Sequence, residues 1–369
     1  MIFHLRGRLL PDDREVDMWL VDGRVTYRPP VQAETLVSAG YILPGLVDAH
    51  AHVGLADSAI ASPDATKDNA WADLVSGVTL IREAGTPVDT GWLAGSPGAP
   101  RLIRAGRHIA RPRRYIRGFA VEIEPDQLVG ETLRQAGRGD GWVKWVGDWI
   151  DRARGDLTPL WPVEAATAAV QAAHQAGVRV MAHCFGQRSA AQLVAAGVDC
   201  VEHGWGLDAA TIARMADQGT ALVPTLDNIG ILPGIARQGE PAYPVYAAHL
   251  RRLYDRAVDT VGQAYAAGVA IFAGSDAGGT RPHGSLLGEL QRLAGVAGND
   301  FALSAGCWRA RSWLGQPGLT EGAPGDLIVT RRDPRRDLSA LADVALVMLH
   351  GVPVAAGGER WRRPVDAVR

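Results

Sequence analysis

The feature that most constrains the fold is an eightfold alternation of short apolar runs with Ala-, Leu- and Arg-rich segments. The runs are LPGLVDA, VTLIREA, PRLIRAG, WVKWVG, VRVMAHC, DCVEHG, ALVPTL and VAIFAGSD. The segments between them, such as PVEAATAAVQAAHQAG, carry apolar residues at helical spacing and end in Gly. Eight β-then-α units predict an α/β fold, a (β/α)8 TIM barrel over residues 42–321, with reactive side chains at strand C-termini. A doubly wound open sheet is the alternative, but no G-x-G-x-x-G follows the first run.

The two ends of the chain resemble each other and not the middle. Residues 1–41 read as short strands, with Asp22-Gly23 as a hairpin signal. From residue 322 onward, GDLIVTRRD and VALVMLHGVPV show the same character. Residues 1–41 and 322–369 are therefore expected to form one small β-sandwich beside the barrel.

Composition narrows the function classes. A net charge of −2 over 369 residues, without long Lys/Arg runs, points away from nucleic acid and membrane surfaces. No segment reads as a signal peptide or a spanning helix. Cys184, Cys200 and Cys307 form no CxxC pair, which argues against a disulfide framework or zinc ribbon and for a cytoplasmic home. A small-molecule substrate is expected, and homo-oligomerisation is compatible with the chain.

The polar residues at the predicted strand ends carry the chemistry. The first run ends in His50 and His52, the fourth holds Lys144, the fifth and sixth end in His183 and His203, and the eighth ends in Asp276. On a strand, His50 and His52 point to one face, roughly 6.5–7 Å apart. A lone His183 or His203 reads equally as a hydrogen-bonded core residue, and Asp276 as a helix cap. Lys144 is harder to explain, because a lysine flanked by Trp142, Val143, Trp145 and Val146 must lose its charge or find a partner. A barrel would bring all six to one rim, and imidazole and carboxylate suit zinc and its neighbours.

The segments PGLVDAHAH, VK, AH, EHG and GSDAG, taken in order, resemble the amidohydrolase superfamily. The similarity extends over nearly the whole chain, including DGRV near the start and LTEGAPGDLIV near the end. Within it, GVTLIREAG and APRLIRAGR look like the imidazolonepropionase-related, prolidase-like members. The resemblance implies two divalent metal ions, Zn2+ with Mn2+ or Fe2+ as alternatives. His50, His52 and Asp276 would hold the more buried ion, and His183 and His203 the more exposed one. Lys144 would bridge them as an N6-carboxylated lysine. A bridging hydroxide would attack the carbonyl carbon of a C–N bond, with Asp276 as catalytic proton shuttle. The same site would suit a lactonase, a cyclic amidase or a carbamate or urea hydrolase. A mononuclear deaminase would place an acid three residues after the fifth-strand histidine, where this chain has Gly186. A catalytically idle binding barrel is the alternative outside enzymology.

Substrate contacts are sought in the loops. RHIARPRRYIRG supplies Arg111, Arg114 and Tyr115, and an arginine here could clamp a carboxylate or simply be solvated. This loop departs from the Gly/His-rich prolidase-like pattern, which weakens a dipeptide reading. GDWIDRARGD reads as a lid-like segment. Trp205 could floor an apolar pocket or merely pack, Asp227 sits for polar contacts, and His283 could support the metal ligands from behind.

Overall fold

The computed structural model describes residues 1–356 and 359–360 of the chain. The fold is mixed α/β. Its centre is two sheets of parallel strands. One joins Arg101–Arg104, Val78–Glu83 and Leu46–Ala51. The other joins Val121–Glu122, Ile109–Ala110, Trp142–Val146, Arg179–Cys184, Cys200–His203 and Ala221–Val223. These strands are apolar runs because both faces are covered: every residue of Leu46–Ala51, Val78–Glu83 and Trp142–Val146 is buried.

Seven of the eight expected runs contain a continuous strand. The eighth does not. Residues 270–277 meet their neighbours through isolated parallel bridges, Leu222 with Ile271 and Ala51 with Ala277. Backbone bonds reinforce both sides: Phe272 donates to Leu222 at 3.0 Å, and Ala49 donates to Ala273 at 2.8 Å. The helices end as their sequences suggest. Ser62 and Asp208 cap Pro63–Val75 and Ala209–Gln218 by accepting from Ala65 and Thr211. Gly197 closes Gln187–Ala196 and Gly219 closes Ala209–Gln218, both in the left-handed conformation.

The terminal segments pair as one nine-stranded sheet, in which Tyr41–Pro44 bridges N-terminal and C-terminal strands through Leu327–Thr330. Its core is separate, built on Leu5, Met18, Leu20, Ile42, Leu327 and Met348. The expected terminal unit runs to residue 369, and residues 361–369 lie outside those described. GDWIDRARGD, expected as a lid-like loop, is instead part of an antiparallel hairpin of Asp148–Asp151 with Asp156–Pro159. Among the described residues no helix is long and apolar enough to cross a membrane.

Candidate metal centre

The strand ends bring His50, His52, Lys144, His183, His203 and Asp276 to the wall of a single cavity of about 100 Å3. His50, His52 and Asp276 form a triad whose ligand atoms all lie within 4.8 Å of one another. The Asp276 Oδ1 stands 3.4 Å from His50 Nε2 and 3.2 Å from His52 Nε2. His183 and His203 form the neighbouring pair, ring centroids 4.7 Å apart, and His203 lies 5.1 Å from His50.

Three of the four rings are aimed from behind. The His50 Nδ1 meets Glu202 at 2.5 Å, His52 Nδ1 meets the Gly85 carbonyl at 2.6 Å, and His203 Nδ1 meets Thr225 Oγ1 at 2.7 Å. Fixing one ring nitrogen in this way sets the tautomer and leaves the other free to bind. Glu202 is itself held by Arg82 at 2.7 Å, whose guanidinium lies between the Trp142 and Trp313 rings. Asn228 donates to Asp276 Oδ2 at 2.6 Å, and Thr280 donates to Asn228 Oδ1 at 2.7 Å. His203, Thr225 and Asp276 adopt φ of 68°, 47° and 56°. For residues with a Cβ, that conformation costs on the order of 1–2 kcal/mol each. Three such residues on one rim mark it as a site rather than ordinary packing.

The electrostatics suit cation binding. Burial, reinforced by charge at Lys144, pushes His50 well below its ordinary pKa. Burial does the same at His183 and His203, where neighbouring histidines add to it. All three are therefore neutral imidazoles with available lone pairs. Burial also pulls the Lys144 amine down. Its Nζ and the His183 Nε2 are buried and have no hydrogen-bond partner. Imidazole nitrogens, an unpartnered amine and a carboxylate converging on one point are the donor set of Zn2+, Mn2+ or Fe2+, so the residues present fit a divalent ion.

The other sequence-derived candidates are distributed differently. Tyr115 lines the cavity. Arg114 instead donates to the carbonyls of Trp149 and Thr158 at 2.9 and 3.0 Å, and Arg111 to Glu124 at 2.7 Å. Neither guanidinium borders the cavity: Arg114 ties the loop to the hairpin, and Arg111 ties it to Glu124. Trp205 is fully buried behind the site, stacked on Phe185 at 4.6 Å and donating to the Pro224 carbonyl. Asp227 pairs with Arg281, and His283 with Asp73 at 2.7 Å. Sequence reasoning did not single out Glu202, Arg82, Phe119, Phe185 or Ile231. A wider cavity of about 500 Å3 borders the other side of Asp148, and none of the six candidate ligands lines it.

The amidohydrolase family model matches residues 41–354, and the chain belongs to that family. It is a hydrolase acting on carbon–nitrogen bonds. Among relatives, Rv2915c of Mycobacterium tuberculosis is 48% identical over 359 residues, 94% of each chain. A Bifidobacterium longum protein assigned as a prolidase is 26% identical, with a TM-score of 0.82 over 100% of this chain and 97% of its own. A Xaa-Pro dipeptidase with bound methionine is 20% identical (TM-score 0.80; 95% and 98% covered). The Aspergillus (A. niger) ochratoxinase is 18% identical (TM-score 0.79; 99% of each).

Proposed function

We propose that this chain hydrolyses an amide-type carbon–nitrogen bond of a small molecule, using two divalent metal ions and Asp276 as the proton carrier. The observation that carries the reading is the convergence of six donor residues on one cavity, with the Lys144 amine and a His183 nitrogen buried and unpartnered. His50, His52 and Asp276 would hold one ion and His183 and His203 the other, with Lys144 between them as a carbamate. Such ions supply an acidified water and a polarised carbonyl. Similarity to a prolidase and an ochratoxinase supports amide-type chemistry.

The remaining work falls to the chain's own residues. Water adds across the bond: a C–O bond forms, the C–N bond breaks, and one water proton ends on the leaving nitrogen. Although burial opposes it, the neighbouring His50, His52 and Lys144 hold the Asp276 carboxyl below its usual range. It is therefore ionised and ready to take that proton, then return it to nitrogen. Asn228, steadied by Thr280, restrains the carboxylate so that Oδ1 keeps facing the two histidines. Burial lowers the Lys144 pKa, which favours the neutral amine that can capture carbon dioxide.

The bonds of residues 270–277 to both neighbouring strands support a closed (β/α)8 barrel over 42–321, with the terminal segments as a side module. Three buried free cysteines fit a cytoplasmic setting. The test is elemental analysis with activity assays on amide substrates. Wild-type protein should carry close to two divalent ions, Lys144→Ala should lose most of them, and Asp276→Asn should lower kcat by about 10²–10⁴. Full metal content and activity in Lys144→Ala would end the reading.

A further inference from the structure

The space in front of the six donors has a one-sided chemistry. Its outer wall is Tyr115, Ile116, Phe119, Trp149, Phe185 and Ile231. Among the described residues, the acidic or basic side chains bordering it are the four histidines, Lys144 and Asp276. Its other polar members, Ser58, Asn228 and Thr280, are neutral, and Asn228 is already committed to Asp276 and Thr280.

Three guanidiniums close to this space in sequence are bonded elsewhere. Arg107 donates to the Phe119 and Gly118 carbonyls at 2.9 and 2.5 Å. Arg114 ties Trp149 to Thr158, and Arg281 pairs with Asp227. Arg107, Arg111 and Arg114 of the basic loop thus spend their charge on bonds within the surrounding wall. A substrate carboxylate lying along the outer wall, away from the ions the six donors would hold, would leave water and find no cationic side chain there among the described residues. A neutral ring would lose nothing and bury apolar surface.

Resting on the hydrolytic reading above, we infer that the group the cavity accepts is uncharged and apolar, such as the aryl or branched alkyl part of an amide, urea or carbamate. At about 100 Å3 the space is smaller than the roughly 150 Å3 of a cavity that takes benzene, so it suits a small apolar group and a ring would extend past the lining residues. Free dipeptides and N-acyl amino acids, whose carboxylates need a cationic partner, are disfavoured.

The test compares acetanilide with 4-acetamidobenzoate, two anilides that differ by one carboxylate. Equilibrium binding to zinc-loaded protein is followed by calorimetry, and release of aniline or of 4-aminobenzoate, respectively, is followed in parallel. Acetanilide should bind, and be cleaved, at least about tenfold better than its carboxylated partner. Ile231→Arg, or Ile116→Arg should the first fail to fold, should narrow or invert the ratio by placing a cation on the wall. Equal or better binding of 4-acetamidobenzoate, or no binding of acetanilide, overturns the inference. Selective binding of acetanilide without aniline release would keep the inference and remove the hydrolytic reading instead.

Discussion

Glu202 joins two buried groups that would otherwise be incompatible. One oxygen accepts from Arg82 at 2.7 Å and the other meets His50 Nδ1 at 2.5 Å, with all three side chains essentially inaccessible to solvent. A buried guanidinium is tolerable only with its carboxylate, so breaking the pair costs about 3–5 kcal/mol. His50 depends on the same carboxylate to keep its Nδ1 fixed and its Nε2 facing Asp276. Glu202→Gln keeps the shape and removes the charge. It is expected to lower stability by a few kcal/mol and to weaken metal binding about 10–100-fold. Denaturant unfolding of the metal-free protein and competition with a chelator measure the two effects separately. Unchanged chelator competition would show that Glu202 supports only Arg82.

The elements explain why such residues escape a reading of the sequence. Strand alternation places neighbours such as Glu202 and His203 on opposite faces. His203 has φ 68°, which ends the alternation, and both side chains reach the same His50. The strand-end histidines were legible because they close apolar runs whose residues are buried. The eighth run was legible as a position but not as a strand, since Gly274 sits against His50 and Val223 and leaves no room for a Cβ. The arginine-rich loop misled because guanidinium bonds to backbone carbonyls have no sequence signature. At this scale Arg114 is the tie between loop 107–119 and the hairpin Asp148–Asp151/Asp156–Pro159. Arg114→Ala removes three bonds from a largely buried charged donor, a loss of about 1–3 kcal/mol. Amide exchange in residues 148–159 should accelerate while exchange in Arg179–Cys184 stays slow. Equal acceleration in both would show that the hairpin and the central strands open as one unit.

At the scale of the whole molecule, the site is one member of a larger population of buried ionisable groups. Asp48, Glu83 and Glu289 are all buried, with pKa values raised by burial to about 7, 7 and 8. The nearby charge of Asp73 adds to the effect at Asp48, and that of Asp227 at Glu289. A carboxyl whose folded pKa lies above its unfolded value binds more protons in the folded state. Its contribution to stability is therefore present below the unfolded pKa and declines as pH rises toward the folded one. For Glu289 that window runs from the ordinary 4.5 to about 8. Glu289 accepts from the Asp227 amide at 2.8 Å through Oε2, a bond that a glutamine oxygen can keep, while Oε1 is buried without a partner. Glu289→Gln should thus match the wild type near pH 5 and gain on it steadily up to pH 9, by on the order of a few kcal/mol. Urea unfolding of metal-free protein at several pH values between these limits reads the difference. A difference that stays flat, or that favours the wild type as pH rises, would mean that Glu289 is ionised at neutral pH and paired in the folded protein.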